Sequence, residues 1–157
     1  MNYLKMKKRT FLLLIVFIVN LSSYAQELKN HPKLLEAFEA QNSLKLETSR
    51  ELFSSLLKET NLSKKDRCTA LRKLSMQDWK FYKNYDQAKK RLTEAIQLGD
   101  YVSESYVVLN RIETEAKNYS KALTAAKKSL ETATSASDST YATYLYSKTI
   151  LKEAANL

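Results

Sequence analysis

Lys83-Asn84-Tyr85-Asp86-Gln87-Ala88 returns 34 residues later as Lys117-Asn118-Tyr119-Ser120-Lys121-Ala122. The register then holds, with Leu92 falling on Ala126, Ala95 on Ser129 and Ile96 on Leu130. A fixed period of this length marks stacked helical units, none of which can bury its apolar face alone. Arrays of that kind present a surface to another molecule more often than they perform chemistry.

The rest of the composition agrees with helices. The chain holds one glycine, Gly99, and one proline, Pro32. Sheets need such residues at their many turns. A chain poor in both and rich in Ala, Leu, Lys and Glu is all-α. Its formal charge of +9 overstates its basicity. Four of the 26 basic residues precede Ala25 and no acid does, which leaves 22 against 17 acids. That is an ordinary solubility balance. It lacks the concentrated basic stripe of a nucleic-acid binder, so no nucleic acid is expected.

Residues 1–25 read as a signal peptide. Lys5, Lys7, Lys8 and Arg9 precede the unbroken apolar run Phe11 to Val19, and small residues stand at Ser23 and Ala25. Cleavage is expected between Ala25 and Gln26, giving an exported protein, periplasmic or secreted. The run is about half the roughly 20 residues a membrane span requires, so membrane attachment is expected only if the segment is retained. The mature domain is then 26–157, long enough for one core.

Helical spacing predicts helices at about 32–41, 44–59, 64–82, 85–98, 101–116, 119–133 and 139–155. Pro32 suits a first helical turn. Leu34, Leu35 and Phe38 share a face there. Ser63 with Asp66 resembles a capping box, Gly99 fits a helix C-cap, and Asp100 can cap the helix after it. Asn84 and Asn118 mark breaks. Ala88, Ala95, Ala122 and Ser129 allow close helix approach, with Leu92, Ile96 and Leu130 filling the space between.

These residues resemble the tetratricopeptide repeat family, whose antiparallel helix pairs of 34 residues stack into a right-handed superhelix. The likeness is best over 69–102 and 103–136. Ala88 with Leu92 fits the small-then-bulky pattern of the family's second helix, and Ala122 with Ala126 fits it in part. In the first helix, Tyr106, Leu109, Asn110 and Glu113 match at two places, and Arg72, Ser75, Met76 and Trp79 mainly at Trp79. The resemblance implies a non-catalytic module binding a peptide or protein partner, and the signal segment places that module, exported, in the bacterial envelope or secreted fraction. It also implies a concave groove lined by Lys73, Gln77 and Lys80 from one repeat and Val107, Arg111 and Thr114 from the next. A partly basic groove suits an acidic peptide. With two well-matched repeats, where about three are usually needed, a homo-oligomer is a further expectation. The alternatives are a scaffold or accessory subunit using its convex face, and a small hydrolase using two carboxylates.

No catalytic or metal-ligating set stands out. His31 is the only histidine and Cys68 the only cysteine, far apart in sequence. Zinc needs several such ligands, and a nucleophile needs a neighbouring base. The single glycine excludes glycine-rich phosphate loops, and no cofactor is expected. Cys68 reads as a small buried hydrophobe. Glu113 and Glu115 point to different sides of their helix, and Glu47 and Glu51 share a solvated face.

Overall fold

The computed structural model describes residues 31–155. The signal segment expected over 1–25, with its cleavage site, lies outside the described residues. Every regular element among the described residues is an α-helix: α1 (Pro32–Asn42), α2 (Leu46–Leu56), α3 (Lys64–Lys80), α4 (Tyr85–Leu98), α5 (Val102–Glu115), α6 (Tyr119–Glu131) and α7 (Ala136–Ala154). None of these is long and apolar enough to cross a membrane.

The seven helices fall where periodicity put them, and the chain's own chemistry sets their ends. Ser63 caps α3 by accepting from the Asp66 amide at 3.0 Å, while its hydroxyl donates to the Asp66 carboxylate at 2.7 Å. The pairing of Ser135 with Asp138 repeats this at 3.1 and 2.6 Å, so α7 starts three residues before the expected Ser139. Gly99 closes α4 at φ 84°. Asp100 does not cap α5; Tyr101, itself left-handed at φ 51°, holds that place with no side-chain cap.

Adjacent helices run antiparallel. Ser103, early in α5, donates to the Ser129 carbonyl late in α6 at 2.8 Å, and Asn110 reaches the Ala122 carbonyl at 2.8 Å. Cys68 and Asp78 of α3 likewise meet Ala95 and Arg91 of α4. In contrast, α3 and α5 run parallel. The Arg72 guanidinium lies over Tyr101 at the start of α5, and the Trp79 indole bonds Glu115 at its end.

The turns inside the hairpins carry non-glycine left-handed residues at matching positions, Leu44, Lys83 and Lys117, with φ 58°, 52° and 59°. After α5, the Lys117 amide bonds the Thr114 carbonyl at 3.1 Å and the Asn118 amide bonds that of Glu113 at 2.8 Å. This is the paired closure that satisfies a helix's last carbonyls. The asparagines thus follow the break. Asn84 caps α4 through the Gln87 amide at 3.1 Å, whereas Asn118 turns its amide to the Glu113 carboxylate at 2.8 Å.

Apolar burial divides into two clusters. Leu34, Ala37, Phe53, Leu56, Leu62, Ala70 and Leu74 join α1, α2 and α3. Trp79, Ala88, Leu92, Val108 and Ile112 join α3, α4 and α5. Ala88, Ala95, Ala122 and Ser129 are fully buried, as close approach requires. Leu35 and Leu130 are exposed: α1 turns Leu34 with Ala37 and Ala40 inward, and α6 turns Ala125, Ala126 and Ser129 inward.

One interior contact is ionic. Asp78 is fully buried between Arg50 of α2, at 2.6 Å, and Arg91 of α4, at 2.7 Å. Truncating one member strands the others without a partner. Asp78→Ala is expected to lower unfolding free energy in urea by about 3–5 kcal/mol. The concerted Arg50→Met/Asp78→Leu/Arg91→Met variant should recover most of it, and equal losses in both would show that packing, not charge, is at stake. Lys117→Gly is expected to raise stability by about 0.5–1 kcal/mol, because the relief of left-handed strain exceeds the extra freedom of glycine in the unfolded chain. A lower denaturation midpoint would contradict that account.

Candidate functional site

The parallel first helices of successive hairpins, α3 and α5, together with α7, leave a cleft of about 510 Å³ between them. Trp79 and Lys80 enter from α3, and Asn110, Arg111, Thr114 and Glu115 from α5. The wall from α7 is Tyr141, Tyr144, Leu145, Lys148, Thr149 and Lys152, one helical face by its spacing of three and four.

Asn110 fixes the floor. It is buried, and its amide donates both to the Ala122 carbonyl at 2.8 Å and to the Thr149 hydroxyl at 3.0 Å. The Thr149 hydroxyl in turn donates to the Leu145 carbonyl at 2.8 Å. One side chain therefore ties α5 to both α6 and α7.

Cations over aromatic rings form the walls. Lys80 Nζ lies 5.5 Å from the Trp79 ring, the Arg111 guanidinium 5.5 Å from Tyr141, and Lys148 Nζ 5.4 Å from Tyr144. Arg111 also donates to the Tyr141 hydroxyl, and Lys148 to that of Tyr144 at 3.2 Å. The two tyrosines pack 6.1 Å apart with planes tilted by 34°. Ring faces attract cations through their quadrupole, and the two phenol oxygens each take one N–H as well.

Glu115 stands at one rim. It accepts from the Trp79 indole at 2.7 Å, from the Tyr85 hydroxyl at 3.0 Å and from Lys83 at 3.4 Å. Partial burial, the largest single influence, pushes its pKa up, but these donors together outweigh it and hold the carboxyl below the usual carboxylate range. The same hydrogen bond raises the Tyr85 phenol.

The structure brings Lys80, Arg111 and Thr114 together in this cleft. Lys73 stands apart, its ammonium 4.9 Å from the Phe38 ring. Its pKa is lowered by burial and then by the cations Arg72 and Lys80. Val107 is half-buried on α5 and does not line the cleft. Gln77 cannot line a groove: it is 1% exposed and donates to Ser49 Oγ at 3.0 Å. Ser49 in turn bonds the Ala37 carbonyl at 3.0 Å, so Gln77 pins three helices together. The α7 wall was missing from the sequence-level site, although the period contains it. Adding 34 to Val107, Arg111 and Thr114 gives Tyr141, Leu145 and Lys148, all three in the cleft.

Elsewhere the reactive side chains are engaged structurally. Cys68 is buried, its thiol pKa raised chiefly by that burial, and its sulfur lies 3.5 Å from the Ala95 carbonyl. Glu113 is buried beside Asn118 and Lys89. Among the described residues, no group of three or more His, Cys, Asp or Glu side chains could hold a metal ion. No protein-family model matches this chain, nor does any curated protein or solved structure.

A depressed folded-state pKa gives stability that is present above the unfolded value and lost as pH falls through the folded one. Glu115→Gln should therefore lower the melting temperature at neutral pH, with the gap to wild type closing as pH drops below about 4. A gap that stays constant with pH would mean that the carboxylate charge does not hold the rim.

Proposed function

We propose that this protein is a non-catalytic interaction module of the tetratricopeptide type. In this reading, three helix hairpins, α1–α2, α3–α4 and α5–α6, are followed by α7, and the whole winds as a right-handed superhelix. The antiparallel hairpins, the parallel α3 and α5, and the equivalent left-handed turns support it. The basic start followed by Phe11 to Val19 supports export to the bacterial envelope or beyond.

One observation carries the functional part. Side chains at matching repeat positions, Lys80, Thr114 and Lys148, converge from three helices on a single cleft beside Arg111. Its volume lies within the about 300–1,000 Å³ usual for ligand sites, so it suits a short segment of a partner and not a whole domain face. The mechanism is binding without turnover. Asn110 and the ring-seated cations hold the walls in place before a ligand arrives, which reduces the ordering cost of capture.

Site-specific photo-crosslinking in the native cell tests this. A crosslinking residue at Tyr144, in the cleft, is expected to trap a discrete protein partner, whereas one at Thr93, exposed on α4, should not. A partner trapped only from Thr93 would move the interface to the outer face, as a scaffold would use it. Partners from neither position would overturn the interaction reading.

A further inference from the structure

We infer that the cleft recognises an acidic, extended peptide segment through its side-chain carboxylates, not through a chain terminus, and that Lys148 of α7 is a specificity-determining residue. The inference rests on reading this cleft as the binding site. Its first support is unneutralised charge. Most cations in contact with an acid are paired across the fold: Arg50 and Arg91 with Asp78, Lys33 with Glu59, Lys89 with Glu113. Lys80, Arg111 and Lys148 make no ion pair with any described residue, yet all three enter one cleft. The lining holds one acid, Glu115, and both its oxygens already accept hydrogen bonds from Trp79, Tyr85 and Lys83. Three like charges that pair with no carboxylate of the lining repel one another, and a ligand bringing carboxylates relieves that repulsion.

Distribution supplies the second support. Each of the three cations comes from a different helix and sits on its own ring. A single terminal carboxylate is best met by donors gathered at one point. Cations seated separately suit several carboxylates spaced along an extended chain. The rings argue against single-stranded nucleic acid, which needs aromatic faces for base stacking. Here Tyr141 and Tyr144 are tilted against each other, and their hydroxyls already accept from Arg111 and Lys148. Lys148 is exposed, so its substitution tests recognition and not folding.

Fluorescence anisotropy with the full-length protein provides the test. The probe is a labelled, acetylated and amidated peptide of alternating glutamate and serine. It is expected to bind and to weaken with added salt. Lys148→Glu should reduce affinity about tenfold and Tyr144→Ala severalfold. Lys127→Glu, on the outer surface beside Glu131, should change it little. The inference is overturned if Lys148→Glu binds as well as wild type with an unchanged melt. It is equally overturned if a glutamine-for-glutamate peptide with a free C-terminus binds as tightly. Heparin oligosaccharide or oligothymidine binding more tightly with the same Lys148 dependence would replace the peptide by a general polyanion. If these peptides fail while crosslinks from Tyr144 persist, the cleft remains a binding site and only its acidic ligand is withdrawn; if both fail, the cleft itself is.

Discussion

A single carboxylate, that of Asp78, lies wholly out of water between guanidinium groups from the helices on either side of α3. Burying such an ion costs several kcal/mol, and two well-placed cations offset that cost without turning it into a large net gain. What the arrangement contributes is position. Gln77, Asp78 and Trp79 follow one another at steps of about 100° around the helix, so they point in three directions. Gln77 reaches Ser49 of α2, Asp78 reaches Arg50 and Arg91, and Trp79 reaches Glu115 of α5. Three adjacent residues therefore set α3 against α2, α4 and α5, and the cleft opens directly beside them.

The same physics gives the opposite result a few ångströms away. In the interior each arginine near Asp78 meets a carboxylate. In the cleft, aromatic rings take the place of acids. A tyrosine or tryptophan ring seats a cation without cancelling its charge. Lys80, Arg111 and Lys148 are held in place without meeting a carboxylate, Arg111 and Lys148 each giving one N–H to a tyrosine hydroxyl. Lys73, which precedes Lys80 on α3, has its pKa lowered chiefly by burial, and Arg72 and Lys80 add to that lowering.

Helix positions were legible in the sequence because they depend on apolar spacing and on a few capping residues, and Ser63, Gly99 and Pro32 each act as their chemistry predicts. Their inward faces were less so. Leu35 and Leu130 were assigned inward because they are large and apolar, yet helix contact in this fold is close enough that Ala37, Ala40, Ala125 and Ala126 take the interior. Buried polar residues were the least visible. Asp78, Asn110 and Gln77 look like surface residues by type, since such groups go inside only with partners. Those partners lie between 12 and 39 residues away along the chain. Spacing within one helix carries no trace of them.

The repeat carries more information than residue identity shows. Residue identity aligns 83–96 with 117–130, and a groove over two repeats follows from that alone. One further period carries Thr114 onto Lys148 and Val107 onto Tyr141, although α7 shares almost no residue identity with α5 at these positions. Periodicity in a stacked array is a statement about geometry: any helix that occupies the next place in the stack turns the same positions toward the same face. At those places α7 carries Tyr144 and Lys148 where α5 carries Asn110 and Thr114. Asn110 is buried and spends its amide on Ala122 and Thr149, whereas Tyr144 and Lys148 stand exposed in the cleft. Equivalent positions therefore serve packing on one helix and surface chemistry on the next.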